Sequence, residues 1–290
     1  MIDAHHHLWD LNAVNYPWLM EKGKRRFFGD PTPIQRNYLI DEHIKLANEL
    51  GFKGSVHIQV GAADGLEEAQ WINSVVNENQ SWPMVQVAFC DLSSDQRELH
   101  LDKLQKLSSV VGVRQIIGRS PAEDANNKTN ELLTSDNFMQ GLQSISDRGL
   151  TFDLQIIPEL LKTCASVFSQ FPNLQVILCH AGSPYNRTLE GIKSWANDLT
   201  HISNLSNVSC KLSGLGMFDH NWTGSTVAPI VTTVIDQFGS KRVMFGSNFP
   251  VDSLSSSFEQ LFTRISSNID EKDFEDVFSK TAQRIYFSNF

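Results

Sequence analysis

The sequence predicts a single-domain α/β protein, residues 1–290, that folds as a (β/α)₈ TIM barrel. Eight short apolar runs alternate with stretches of helical periodicity along the whole chain. Polar side chains recur where these runs end, and a parallel barrel collects such side chains at one rim. The alternative is a doubly wound open sheet, for which the chain offers no glycine-rich phosphate loop.

The predicted strands are apolar runs bounded by turn-forming or polar residues. They span residues 2–7, 54–60, 84–90, 112–117, 151–157, 175–180, 208–212 and 242–246. Helical periodicity between them predicts helices at residues 41–50, 66–79, 136–149, 158–171 and 225–238, and a closing packed helix at 271–287. In 136–149, for example, Phe138, Leu142 and Ile145 share one face. The segment 12–37 is rich in proline and aromatic residues without periodicity, which is typical of a lid.

Composition argues against several classes of function. The net charge is −9, and neither nucleic acid nor an anionic membrane attracts such a chain. We find no basic-then-apolar leader and no apolar run of about 18 residues, so we expect a cytoplasmic protein that acts on a small molecule. The four cysteines show no C-x-x-C spacing and are expected to be reduced. The sequence leaves open whether the chain forms a homo-oligomer.

The most informative motif is the pair His5 and His7 in the first predicted strand. Residues two apart on a strand project to the same face, so both imidazoles point to one side. Such a pair suits a metal ion, or a carbonyl group and the water that attacks it. Other polar residues at predicted strand ends are Gln59, Asp91, Arg114, Arg119, Gln155, His180, Lys211 and Asn248.

Several segments together resemble the amidohydrolase-related superfamily, and the nearest branch is that of the sugar-lactone and 2-pyrone-4,6-dicarboxylate lactonases. They are residues 2–9 (IDAHHHLW), 16–19 (YPWL), 112–115 (GVRQ), 179–184 (CHAGSP), 211–215 (KLSGL), 245–251 (FGSNFPV) and 281–286 (TAQRIY). The resemblance covers essentially the whole chain. It implies a TIM barrel in which His5, His7 and His180 are active-site histidines and the ligands of any bound metal.

Two positions depart from the pattern of the metal-binding relatives. The fifth strand offers Gln155 where those relatives carry a histidine, and the eighth ends in Asn248 where an aspartate usually acts as base. Amide oxygens are weak zinc ligands, so no required cofactor is the first expectation and a divalent zinc ion is the alternative. Asparagine does not titrate, so the base is expected to be Asp252, four residues on, or His180.

The leading hypothesis is a hydrolase that opens a lactone or related cyclic ester of a sugar acid or carboxylated substrate. His5, His7 or Lys211 polarises the carbonyl group, and an arginine binds a carboxylate. Residues assigned to substrate binding are Trp9, Arg114, Arg119, Gln155, Arg187 and Lys211, and Tyr16 and Trp18 are candidates for ring stacking. The alternatives are a metal-dependent amidohydrolase or decarboxylase, and a catalytically impaired barrel that binds a ligand.

Overall fold

The computed structural model describes residues 1–288, and in them eight parallel strands form one sheet in sequential order. The strands are β1 (Asp3–His6), β2 (Ser55–Ile58), β3 (Met84–Ala88), β4 (Val110–Val113), β5 (Thr151–Leu154), β6 (Val176–Leu178), β7 (Val208–Leu212) and β8 (Val243–Phe245). The predicted fold class, a (β/α)₈ barrel, is confirmed.

Backbone hydrogen bonds between the chain after β8 and the first strand close the barrel. Asn248 N donates to His5 O at 2.7 Å, and His7 N donates to Phe249 O at 2.8 Å. The Asp3 carboxylate strengthens the same seam, because it accepts hydrogen bonds from both the backbone N and the hydroxyl of Ser247, at 2.8 and 2.6 Å. The two segments with the strongest motifs are therefore neighbours in space.

Twelve α-helices within the described residues surround the barrel or close its ends. They are α1 (Pro17–Met20), α2 (Ile40–Glu49), α3 (Gly65–Glu78), α4 (Arg97–Leu104), α5 (Pro121–Asn127), α6 (Asp136–Asp147), α7 (Leu161–Phe168), α8 (Leu189–Ser203), α9 (Gly224–Phe238), α10 (Phe258–Ser266), α11 (Glu271–Glu275) and α12 (Thr281–Tyr286). Side-chain caps fix several starts: Asp64 accepts from Leu66 N before α3, and Ser257 forms a capping box before α10. The shared face predicted for α6 is fully buried.

The bottom of the barrel is packed by aliphatic side chains from several strands, among them Ala4, Val56, Val87 and Ile177. Tyr286 of α12 closes this end from below. The packed helix predicted at 271–287 is divided into α11, a π-helical turn (Asp276–Lys280) and α12. This division lets the last turns pack under the barrel.

The predicted lid covers the opposite rim. It contains α1 and a short 3₁₀ helix, Thr32–Ile34, and its aromatic side chains Tyr16 and Phe28 are buried. Trp9 and Tyr38 form an isolated bridge at the base of the lid. In the described part of the chain, no helix has the length and apolar character needed to cross a membrane.

Candidate active site

Three histidines from opposite sides of the barrel meet at its C-terminal rim. His5 and His7 belong to the end of β1, and His180 follows β6. The ring centroids of His5 and His180 are 4.6 Å apart, and those of His5 and His7 are 5.1 Å apart. All three side chains are buried. The structure therefore brings together the imidazoles that the sequence singles out.

His7 is held by both ring nitrogens. Nδ1 lies 2.7 Å from Ile58 O, which is only an acceptor, so Nδ1 carries a proton. Nε2 lies 3.2 Å from Oδ1 of Asn248. Burial, followed by the charge of Arg114, holds the pKa of His7 well below its ordinary value. At neutral pH the ring is uncharged and Nε2 is unprotonated, beside the amide oxygen of Asn248.

Asn248 connects His7 to the carboxyl group of Asp252. The amide Nδ2 donates to Asp252 Oδ1 at 3.1 Å, and the Asp252 side chain is buried. Burial raises the pKa of Asp252 to about 7, although the Asn248 bond opposes this rise. In this orientation the amide oxygen stabilises a proton on His7 Nε2, and the amide nitrogen stabilises the Asp252 carboxylate.

Ser213 fixes the orientation of the third imidazole. Its hydroxyl oxygen accepts from His180 N at 3.3 Å and lies 2.9 Å from His180 Nδ1. When the hydroxyl donates to Nδ1, the proton of the neutral ring is on Nε2. Gly214 lies against the same ring, and a Cβ there would come within 2.4 Å of Nδ1. His180 is therefore positioned as a hydrogen-bond donor towards the rim.

A cavity of about 290 Å³ opens above this rim. Strand ends supply His7, Arg114, Gln155, His180 and Asn248. The remaining lining residues come mainly from the lid and the rim loops and are Pro17, Trp18, Arg26, Phe27, Phe28, Val60, Gly61, Ile116, Arg119, Met217 and Val251. Among the described lining residues, none is Asp or Glu. The cavity is therefore uncharged or positive throughout its wall.

The three lining arginines differ in how much of their hydrogen bonding is already used. Arg114 donates to Gln59 O and to Gln155 Oε1, the latter at 3.1 Å. Arg26 forms a two-pronged ion pair with Glu123 at 3.0 and 3.1 Å. The Arg119 guanidinium forms no hydrogen bond or ion pair with any residue in 1–288. It is the lining cation that is free to bind a ligand.

Five of the residues predicted to act in catalysis or substrate binding lie outside the cavity wall, and one of them is His5, which is fully buried. Trp9 is fully buried and donates to Arg36 O, while Arg187 donates to Leu215 O at 2.8 Å. Lys211 forms a buried ion pair beneath the rim, and Asp252 lies behind Asn248. Sequence reasoning did not assign the lid residues Arg26, Phe27 and Phe28 or the loop residues Met217 and Val251 to the site. For the lid residues, the only signal was the aromatic lid segment itself.

The expected zinc ligands do not form a ready-made metal site. The Nδ1 atoms of His7 and His180 are engaged, and His7 Nε2 faces an amide oxygen. Within residues 1–288, the one group of three or more potential ligands whose donor atoms lie within 4.8 Å of one another is His5, Asp153 and Cys179. Lys211 Nζ lies 2.6 Å from the Asp153 carboxylate. As they stand, these residues do not fit a zinc ion.

Comparisons with known proteins agree with this architecture. The family model described as "Amidohydrolase" matches residues 2–287. An uncharacterised protein of Sinorhizobium fredii is 31% identical, covering 99% of this chain and 98% of its own. An L-fucono-1,5-lactonase of Burkholderia multivorans is 22% identical, covering 98% and 95%. An amidohydrolase of Burkholderia multivorans, solved with bound zinc, superimposes with a TM-score of 0.83 at 21% identity, covering 99% and 98%.

Proposed function

We propose that the chain, which belongs to the amidohydrolase family, is a hydrolase that opens the ester ring of a small lactone bearing a carboxylate. The observation that carries the proposal is the cavity wall, which combines neutral imidazoles with arginines and, among its described residues, lacks an acid. The L-fucono-1,5-lactonases among its relatives support cleavage of a lactone ester, at low identity.

Arg119 binds the carboxylate of the substrate. Its guanidinium is free of partners in the described chain and is largely desolvated, which lowers its pKa from the ordinary value without removing its charge. A guanidinium binds a carboxylate with two parallel hydrogen bonds, which fixes orientation as well as affinity. Trp18 and Phe28 line the same cavity and provide flat apolar surfaces for the ring of the substrate.

His180 polarises the lactone carbonyl group. The Ser213 hydroxyl favours the tautomer with the proton on Nε2, so this atom donates to the carbonyl oxygen and stabilises the negative charge that develops during attack. Burial, followed by the charge of Arg114, holds the pKa of His180 well below its ordinary value. The ring is therefore neutral at pH 7, and because its Nε2 already carries the proton it acts as a donor and not as the proton acceptor.

His7 accepts the proton of the attacking water. His7 lines the cavity and its Nε2 is unprotonated, and the resulting imidazolium donates to Asn248 Oδ1 while Asp252 stabilises the amide from behind. The water oxygen bonds to the carbonyl carbon, the ring C–O bond breaks, and the proton passes from His7 to the leaving oxygen. The product is the open hydroxy acid. Asp252 acts through Asn248 and does not touch the substrate.

The test is turnover of a panel of lactones by enzyme purified with and without chelator. We expect carboxylated lactones to be hydrolysed, with neutral aldonolactones slower, and the Arg119→Gln variant to raise KM for the carboxylated substrates by about 10². Arg25→Gln is the matched control, because Arg25 is an exposed lid arginine outside the cavity.

Two results would contradict the proposal. One is the absence of lactone hydrolysis above background in both preparations. The other is cleavage of an amide, or decarboxylation of an aromatic acid, in place of ester hydrolysis. Equal effects of Arg119→Gln on carboxylated and neutral lactones would remove the assignment of Arg119 as the carboxylate-binding residue.

A further inference from the structure

The ammonium group of Lys211 lies in the floor of the barrel, below the histidine rim. Its Nζ is 2.6 Å from Oδ2 of Asp153, and both side chains are fully buried. Tyr286 donates to the other oxygen of Asp153 at 2.7 Å, and its ring centroid is 4.9 Å from Lys211 Nζ. The lysine is thus held by a carboxylate and by the face of an aromatic ring.

The same carboxylate belongs to a group of zinc-type donors. The donor atoms of His5, Asp153 and Cys179 all lie within 4.8 Å of one another. Ligand atoms around a tetrahedral zinc ion are about 3.5 Å apart, so a contraction of about 1 Å would form the site. Neither ring nitrogen of His5 has a hydrogen-bond partner in the described chain. Imidazole, carboxylate and thiolate are each ordinary protein ligands for zinc.

Charge decides between the lysine and a metal ion. The Lys211 ammonium already balances the Asp153 carboxylate at 2.6 Å, and Sγ of Cys179 lies 3.8 Å from the same carboxylate oxygen. Zinc would displace the thiol proton, and the ion would then be balanced by one carboxylate and one thiolate. With Lys211 still present, the buried group would carry one uncompensated positive charge, which a low-dielectric interior does not accept.

From this geometry we infer that Lys211 takes the place of a divalent cation in the barrel floor and keeps zinc out of the His5–Asp153–Cys179 group. The chain supplies its own cation at this position, and lysine and zinc exclude each other there. This inference does not depend on the identity of the substrate, and its test does not use activity.

The test replaces Lys211 by methionine and uses Co²⁺ as the probe, because a cobalt–thiolate bond gives its own absorption band. We expect the Lys211→Met chain to bind about one Co²⁺, to show the thiolate band and to gain thermal stability on addition of Co²⁺. The wild-type chain and the matched Lys211→Met/Cys179→Ser double variant are expected to show no thiolate band.

Two results would overturn the inference: a thiolate band in the wild-type chain, or a folded Lys211→Met chain that binds cobalt without the band or not at all. If the methionine variant does not fold, Lys211→Gln serves instead, because its amide still donates to Asp153 while the ammonium charge is gone. The same band is expected in that variant, and its absence in the folded chain overturns the inference equally.

Discussion

Replacing Asp252 by asparagine removes the charge behind Asn248 while keeping the size of the side chain. Asp252 is buried and accepts from the Asn248 amide at 3.1 Å. In the proposed reaction its carboxylate stabilises the amide orientation that receives the proton of His7. The substitution is therefore expected to lower kcat and to change KM little, because Asp252 does not line the cavity.

The size of the effect follows from the one interaction that is lost. A hydrogen bond to a charged group contributes about 1.5–3 kcal/mol, so kcat is expected to fall roughly 10- to 150-fold. The direction of the pH dependence follows from the raised pKa of Asp252, about 7. The carboxylate is the active form, so wild-type kcat falls as the pH decreases through about 7. His7 stays neutral over this range because its pKa lies well below the ordinary value.

The assay is the pH profile of kcat on a turned-over lactone, for the wild type, Asp252→Asn and a matched control. Asp219→Asn is the control, because Asp219 faces the same arginine, Arg187, without contacting Asn248. The limb near pH 7 should vanish in Asp252→Asn and persist in the control. An Asp252→Asn enzyme that keeps both the limb and full kcat would refute the role of Asp252. A thermal melt confirms that the variant is folded.

Two further predictions concern His180 and acid stability. The Gly214→Ala variant would place a Cβ 2.4 Å from His180 Nδ1 on a backbone with a φ of +61°. We expect it to lose about 1–3 kcal/mol of stability in unfolding curves and at least tenfold of kcat in rate assays. Gly149→Ala is the control, because Gly149 has a φ of +67° with open space around it. The free energy of unfolding should fall by about 4 kcal/mol per pH unit between about pH 6 and 5, measured by denaturant titration, and a flat profile would contradict this prediction. Six buried histidines have a lowered pKa in the folded chain, so between about pH 6 and 5 the unfolded chain binds more protons than the folded chain. They are His5, His6, His7, His43, His57 and His180. The buried acids with raised pKa, which partly offset this loss because they bind protons in the folded state, are Asp3, Glu68 and Asp252.

The positions of the strands could be predicted because most barrel strands lie in short, largely apolar runs that are bounded by polar or turn-forming residues. The predicted ends were less accurate: the run at 151–157 forms a strand only over Thr151–Leu154. Beyond it, Gln155 O accepts hydrogen bonds from the backbone of Ile117 and Gly118, so the chain continues into a rim loop. Apolar character persists in that loop because Ile156 and Ile157 are buried there as well, and hydropathy does not distinguish a buried loop from a buried strand.

The convergence of the histidines could be predicted because strand ends meet at one rim, but the state of each side chain could not. Lys211 and Asp153 illustrate the difference. Each is a single charged residue within an apolar strand, and 58 positions separate them in the chain. In the sequence, each of these two residues by itself indicates a side chain that points into a pocket. They form an ion pair only because β5 and β7, the strands on either side of β6, bring the two side chains together in the barrel interior, which explains why Lys211 was assigned to the substrate.

The lid residues of the site could not be predicted from the sequence for a related reason. The lid loop brings Arg26, Phe27 and Phe28 to the cavity, and the conformation of a loop cannot be predicted from the periodicity of its sequence. The hydrogen-bonded series His7, Asn248 and Asp252 differs, because here the residues could be identified but not their connection. The sequence identified both Asn248 and Asp252, yet it offered no way to see that the amide joins the carboxylate to the imidazole.

Asn248 also has a consequence for which substrates the cavity accepts. With asparagine at this position, the negative charge lies one amide group behind the wall, on Asp252, and the lining itself stays free of acid. A carboxylate at position 248 would face the carboxylate of the substrate. At a separation of about 6 Å and an effective dielectric constant of about 20, the two charges repel by roughly 3 kcal/mol, or about 100-fold in KM.

The Asn248→Asp variant is therefore expected to raise KM for carboxylated lactones by about 10² while changing KM for neutral aldonolactones little. It should not raise kcat above the wild type at pH 7, because two adjacent carboxyl groups share one proton. Steady-state assays on one carboxylated and one neutral lactone measure both effects, and Asn186→Asp, outside the cavity, is the control. If Asn248→Asp instead raises kcat strongly on both substrates, the wild-type chain lacks its base, and the barrel is a catalytically impaired ligand-binding protein.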